Sequence, residues 1–132
     1  MKLSRLIVLP FLALPLLSGC VLVAGAGVGY VVSQKVLPND VHVAQVALDV
    51  EQVWPSARET VGFYVDPGTE AVVQEFPRQI EAKIDGARVR VEVEAHDLDR
   101  TLVRVHAEKF FANDDATAQR VMDAILDRLA DR

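Results

Sequence analysis

The chain has 132 residues, 51% of them hydrophobic and 25% charged, with a formal net charge of −5. That length fits one domain, the acidic balance argues against an electrostatic binder of nucleic acid or of an anionic bilayer, and an aromatic content of 6% argues against a large ring-lined ligand pocket. The apolar residues are segregated: no charge lies between Leu6 and Val32, whereas beyond Leu37 charged and apolar residues alternate over short periods.

Residues 1–19 have the three parts of a secretory signal peptide. Lys2 and Arg5 make a positive start, Leu6 to Leu17 an apolar middle, and Ser18-Gly19 a small-residue end. Pro10 and Pro15 suit a short apolar region better than a full membrane span. The string Leu17-Ser18-Gly19-Cys20 resembles the lipobox of bacterial lipoproteins. That resemblance implies diacylglyceryl transfer to the Cys20 thiol, cleavage just before it, and acylation of the new amine. Cys20 is the sole cysteine, and an unpaired thiol is a liability in an oxidising compartment that a thioether removes. Each buried methylene contributes about 0.8 kcal/mol, so two or three acyl chains make a stable anchor. Cleavage removes two cations, Lys2 and Arg5, and no acid, so −5 becomes −7. Residue 21 is Val. By resemblance to Gram-negative sorting, where Asp at this place favours the inner membrane, Val21 implies the periplasmic face of the outer membrane.

The run after the cysteine, Val21 to Val32, is apolar and rich in Gly and Ala. Three readings of it stand: it lies at the bilayer surface, it packs on the domain or a partner, or it continues Leu6–Val32 as one uncleaved span. Gly25 and Gly29 have the spacing of a close helix contact. The glycines at 25, 27 and 29 lack the spacing of a dinucleotide loop. Residues 20–40 are therefore read as lipidated cysteine, apolar stretch and linker, the polar part being Ser33 to Asp40, and residues 41–132 as the folded domain.

Val41, Val43 and, less regularly, Val46 suggest a short first strand. Asp49 is a candidate N-cap for a helix to about Val61, ended by Gly62. Val50, Val53, Trp54, Ala57 and Val61 form its apolar stripe, with Trp54 a core anchor. Pro55 either bends this helix or starts its regular part. Asp66-Pro67-Gly68 is a turn, and Ala71 to Phe76 is a strand or an irregular crossing. Ile80, Ala82 and Ile84 then alternate with polar residues up to Asp85-Gly86, a strong two-residue hairpin signal. Pairing Ile84 with Ala87 sets Ala82 against Val89, Ile80 against Val91 and Glu81 against Arg90. A third strand, Thr101 to Phe110, joined through a three-residue loop at Leu98–Arg100, places Glu94 opposite Arg104, Arg90 opposite Glu108 and Glu92 opposite His106. Asn113 caps a last helix with Ala118, Val121, Met122, Ile125 and Leu129 on its buried stripe. The fold expected is α+β, an antiparallel meander of three to five strands with two helices on one face.

With these elements in place, the chain resembles a domain-of-unknown-function family of small Gram-negative lipoproteins. The shared features are the lipobox, the Gly/Ala-rich stretch, a Val-Trp helix after a short strand (Val53-Trp54), the meander, and a final Asp-capped helix from Asn113 to Arg132. The family has no established activity, so the resemblance carries over Cys20 alone.

Residues for chemistry are sparse. A metal site needs three or four converging ligands; the one imaginable group is His96 and His106 with Glu92 and Glu94, which also reads as solvated surface. His42 lies near the first strand. Asp97 and Asp99 flank a turn, and Asp114 and Asp115 start a helix. Arg88, Arg90 and Arg104 are interleaved with acids, unlike a nucleic-acid stripe. No catalytic residue, cofactor or metal ligand is assigned. The function expected is that of a non-enzymatic envelope lipoprotein, held to the membrane through lipid on Cys20 and binding a protein partner; the alternative is a domain for a small apolar ligand or lipid.

Overall fold

A computed structural model describes residues 30–131. The signal peptide, Cys20, the Gly/Ala-rich run up to Gly29 and Arg132 lie outside the described residues. Among the described residues, two helices pack on one seven-stranded antiparallel sheet, so the α+β architecture expected from the sequence is the one found. The strands are β1 (Val31–Leu37), β2 (Val41–Val46), β3 (Val72–Glu75), β4 (Arg78–Ile84), β5 (Ala87–Asp97), β6 (Arg100–Lys109) and the short β7 (Ala112–Asn113). The helices are α1 (Val50–Tyr64) and α2 (Asp115–Ala130).

The sheet order is β1-β2-β6-β5-β4-β3, with β7 on β6. Helix α1 carries the chain from β2 across one face to the opposite edge, and the meander β3 to β6 returns until β6 pairs with β2. The strand count exceeds three to five for two reasons. Ser33 to Leu37, expected to be linker, belongs to an edge strand paired with β2 from Val31↔Val46 to Leu37↔Val41. A single-faced edge strand carries little hydrophobic alternation, so its polar residues read as a tether. The other addition is β7, too short to leave a periodic signal.

The β4–β5 register is the one that Asp85-Gly86 dictates, including Ile84↔Ala87 and Glu81↔Arg90. Asp85 and Gly86 have φ of 50° and 78°, the left-handed pair of a tight hairpin whose twist matches that of the strands. The β5–β6 register differs from expectation by two residues: Arg104 faces Glu92, His106 faces Arg90, and Glu108 faces Arg88. The turn is the two-residue Leu98-Asp99, with an irregularity between Ala95 and Asp97 that takes up the spare residue. A slip of two keeps every side chain on its face, so the hydrophobic pattern cannot detect it. Arg104 still reaches Glu94 diagonally at 2.7 Å.

The first strand expected at Val41 to Val46 is found as β2. His42, Ala44 and Val46 point toward the helices, in register with Val105, Val103 and Thr101. Val41 and Val43 lie on the opposite face, out of step with Val46. The core is otherwise the one the stripes define: Val89, Val91, Val103 and Val105 from the sheet, Val53, Trp54, Ala57 and Val61 from α1, and Ala118, Val121, Met122, Ile125 and Leu129 from α2 are all buried. Each large aliphatic side chain buried here contributes about 1.5–3 kcal/mol.

Asp49 caps α1 by accepting the Gln52 N–H at 3.0 Å. The helix starts at Val50 and continues through Pro55, whose missing N–H leaves the carbonyl of the exposed Glu51 to solvent. It does not stop at Gly62; it ends at Tyr64, with the Val65 N–H still bonded to the Val61 carbonyl at 3.1 Å. The Ser56 hydroxyl, buried in this helix, has no hydrogen-bond partner among the described residues. Trp54 Nε1 donates to Glu75 on edge strand β3 at 2.9 Å, and the Arg58 guanidinium lies 5.9 Å from the centre of the Trp54 ring.

The cap of α2 is Asp114, one residue beyond the expected Asn113, which is in β7. Its carboxylate accepts from the Thr117 hydroxyl at 2.7 Å and the Thr117 N–H at 3.2 Å. These two bonds, the hydroxyl first, hold its pKa below the usual aspartate value, with Lys109 and Arg120 adding to the effect. A lowered carboxylate pKa stabilises the fold above the unfolded-state pKa and loses that contribution as pH falls through the lowered value. An Asp114→Ala variant should therefore be less stable by about 1 kcal/mol at neutral pH. Its deficit should shrink in urea melts taken at successively lower pH across the acid range.

Candidate interaction surface

The antiparallel register gives the sheet two ends. Val31, Val46, Thr101 and Ala95 are in register at the near end, beside the Leu98-Asp99 turn. The far end carries the Asp85-Gly86 turn, the close of α1, the start of α2, and the connection from β6 to β7.

That last connection is Phe110-Phe111. Lys109 pairs with Ala112, so the two phenylalanines are the two central residues of a tight hairpin turn. Their φ angles are 53° and 63°, a conformation that costs a residue with a side chain about 1–2 kcal/mol and is an outlier for a bulky one. Nothing is gained by burying them: Phe110 is 88% exposed and Phe111 fully so. Phe63 and Tyr64, at the close of α1 on the same end, are also exposed and meet edge to face with centroids 5.1 Å apart.

The backbone beneath the pair is held firmly. Lys109 Nζ donates to the Asp85 carbonyl at 3.0 Å and lies 5.7 Å from the centre of the Phe110 ring. The Asp66 carboxylate accepts from the Asp85 and Gly86 N–H groups at 2.7 and 2.9 Å, and Arg120 reaches Asp85 at 2.6 Å. The two turns are thus tied to one another, to the loop after α1 and to α2. Beside them lies an open groove of about 540 Å³, lined by Phe110 and Phe111 together with Ala82, Lys83, Arg88 and Glu108.

The residues singled out for chemistry are not drawn together. His106 faces Arg90, not Glu92, and its Nε2 pairs with Asn113 Oδ1 at 3.0 Å. His96 is exposed beside the near-end turn, where Asp97 accepts the Asp99 N–H. Among the described residues no group of three or more His, Cys, Asp or Glu side chains converges as metal ligands would. His42 Nε2 and Asp115 Oδ1 are 2.6 Å apart, a bond that ties β2 to the first turn of α2. Arg90 and Glu81 pair across the outer face, as Arg104 and Glu94 do; exposed pairs of this kind contribute about 0–1 kcal/mol each.

The aromatic tip escapes a reading of the sequence because Phe is a strand former and Phe110 fits the end of a strand. The signal that could have found it is the pair itself. Two adjacent rings break the in–out alternation and leave only two residues before the cap of α2. No model of a known protein family matches the chain, and no curated protein matches it.

Proposed function

We propose that this protein is a small lipoprotein of the cell envelope, anchored at the periplasmic face of the outer membrane through lipid on Cys20, whose domain binds a protein partner without catalysing a reaction. The observation that carries the partner-binding reading is the Phe110-Phe111 turn: a costly backbone conformation displaying two rings to solvent has no use inside the fold. Strained conformations that the surrounding structure over-determines gather at functional sites, and exposed aromatics are favoured contacts at protein interfaces. The apolar-carrier alternative has less support, because large side chains such as Trp54, Met122 and Ile125 occupy the space between sheet and helices and the groove at the tip is open. The lipobox at Leu17–Cys20 and the uncharged run around it support the anchor.

A photoreactive side chain placed at Phe111 in the full chain, in intact cells, should give a discrete adduct with another envelope protein. The same group at exposed Val72, on the edge strand β3, should not. Absence of an adduct from both Phe110 and Phe111 would overturn the partner-binding reading, and a mature protein whose intact mass carries no acyl chains would overturn the anchor.

A further inference from the structure

The near end of the sheet differs from the far end in what precedes it. The uncharged run Leu6–Val32 continues into β1 without a polar tether, so the domain starts where the apolar sequence stops. At Tyr30 the chain is already tied into the fold, its carbonyl accepting the Ala47 N–H at 2.7 Å. A bilayer that holds the apolar run is therefore close to this end of the sheet.

Two large apolar side chains protrude there from tight connections. Leu98, first residue of the β5–β6 turn, is 90% exposed, and Phe76, between β3 and β4, is 88% exposed. Phe76 lies at the level of Glu94 and Ala95 on β5, the level at which Val31 starts β1. Neither packs on the core, and the polar residues at their flanks, among them Glu75, Arg78, Asp97, Asp99 and Arg100, form a mixed rim with more acid than base. Such a rim does not favour an anionic surface, but apolar tips behind it can enter the interface of a neutral bilayer, where Tyr30 also has the amphipathic ring common at that depth.

We infer that the near end of the sheet docks on the lipid bilayer, with Leu98 and Phe76 entering its interface, so that the strands stand on the membrane and the far end points away from it. This inference rests on the membrane-attachment reading above, and it adds a contact surface and an orientation.

The test uses the full chain, purified from membranes and reconstituted in phosphatidylcholine vesicles. An environment-sensitive thiol probe is attached in Leu98→Cys, in Phe76→Cys and, as the control on α2, in Gln119→Cys. The expected result is blue-shifted emission at 98 and 76, quenched by nitroxide-labelled lipid, with neither effect at 119. Intact mass reports Cys20 separately, because a lipidated cysteine leaves one label per chain and a free one gives two. One label with solvent-like emission at both 98 and 76 would overturn the docking while leaving the anchor intact. Two labels, with blue-shifted emission at 98 retained in a Cys20→Ala background, would uphold the docking and remove the anchor.

Discussion

A F110N/F111G variant should melt at a higher temperature than the parent and lose co-purification of the partner captured through the far end. Both positions hold positive φ, and Asn-Gly is the pair that such a turn favours. Relief of about 1–2 kcal/mol per position outweighs what the Lys109 ammonium gains over the Phe110 ring, about 0.5–1 kcal/mol at an exposed site. For a domain of this size, 1 kcal/mol moves the midpoint by roughly 4–8 °C, so a rise of several degrees is expected in a thermal scan followed by circular dichroism. With Phe111 placed back by itself, part of the partner binding should return. A lower melting temperature for the double variant would mean that the rings support the fold and that the turn holds no strain to be relieved.

The second large effect is at Trp54. The ring is buried against the sheet, and its indole N–H is bonded to Glu75 on the last strand of the edge. Trp54→Ala should cost about 3–5 kcal/mol, the range for deleting a large buried aromatic. The loss combines the cavity with a Glu75 carboxylate left only to Arg58. That is a large part of the stability of an ordinary small domain, roughly 5–15 kcal/mol, and corresponds to a fall of roughly 15 °C or more. Trp54→Phe should recover much of the loss, because it restores one aromatic ring and gives up the hydrogen bond and the remainder of the indole. Urea midpoints for the two variants separate these contributions; equal losses would mean that the bond to Glu75, not the ring, holds α1 to the sheet.

What could be read in advance depended on how local the determining chemistry was. Asp85-Gly86 sets the β4–β5 register within two residues, and all four pairings counted outward from that turn are found. Asp49 and the Val53-Trp54-Ala57-Val61 stripe place α1 in the same local way. Where two arrangements satisfy the same pattern, sequence does not choose. The β5–β6 pairing slips by two with both faces intact, and the choice lies in how His96 is accommodated at the irregularity. In β2 the valines mark the strand but not its face, because Val46 is out of step with Val41 and Val43; a small Ala44 and a His42 bonded to Asp115 join Val46 on the inner face. The aromatic tip was the least legible feature. Its backbone opposes the preference of its own residues, and only the tying of Asp66, Lys109 and Arg120 to the adjacent turn shows how such a conformation is held.

The edge position of β1 has a mechanical consequence. Its N-terminal residue is at the near end, and the strand runs antiparallel to β2 through the pairings from Val31↔Val46 to Leu37↔Val41. A pull on the chain before Val31, directed out of the near end, acts along the strand axis. The ladder between β1 and β2 is then loaded in shear, with its hydrogen bonds sharing the force, and β2 passes the load to β6 at the centre of the sheet. A pull across the sheet would instead open the same bonds one after another. Tension on the start of β1 is therefore resisted best along the axis of that strand.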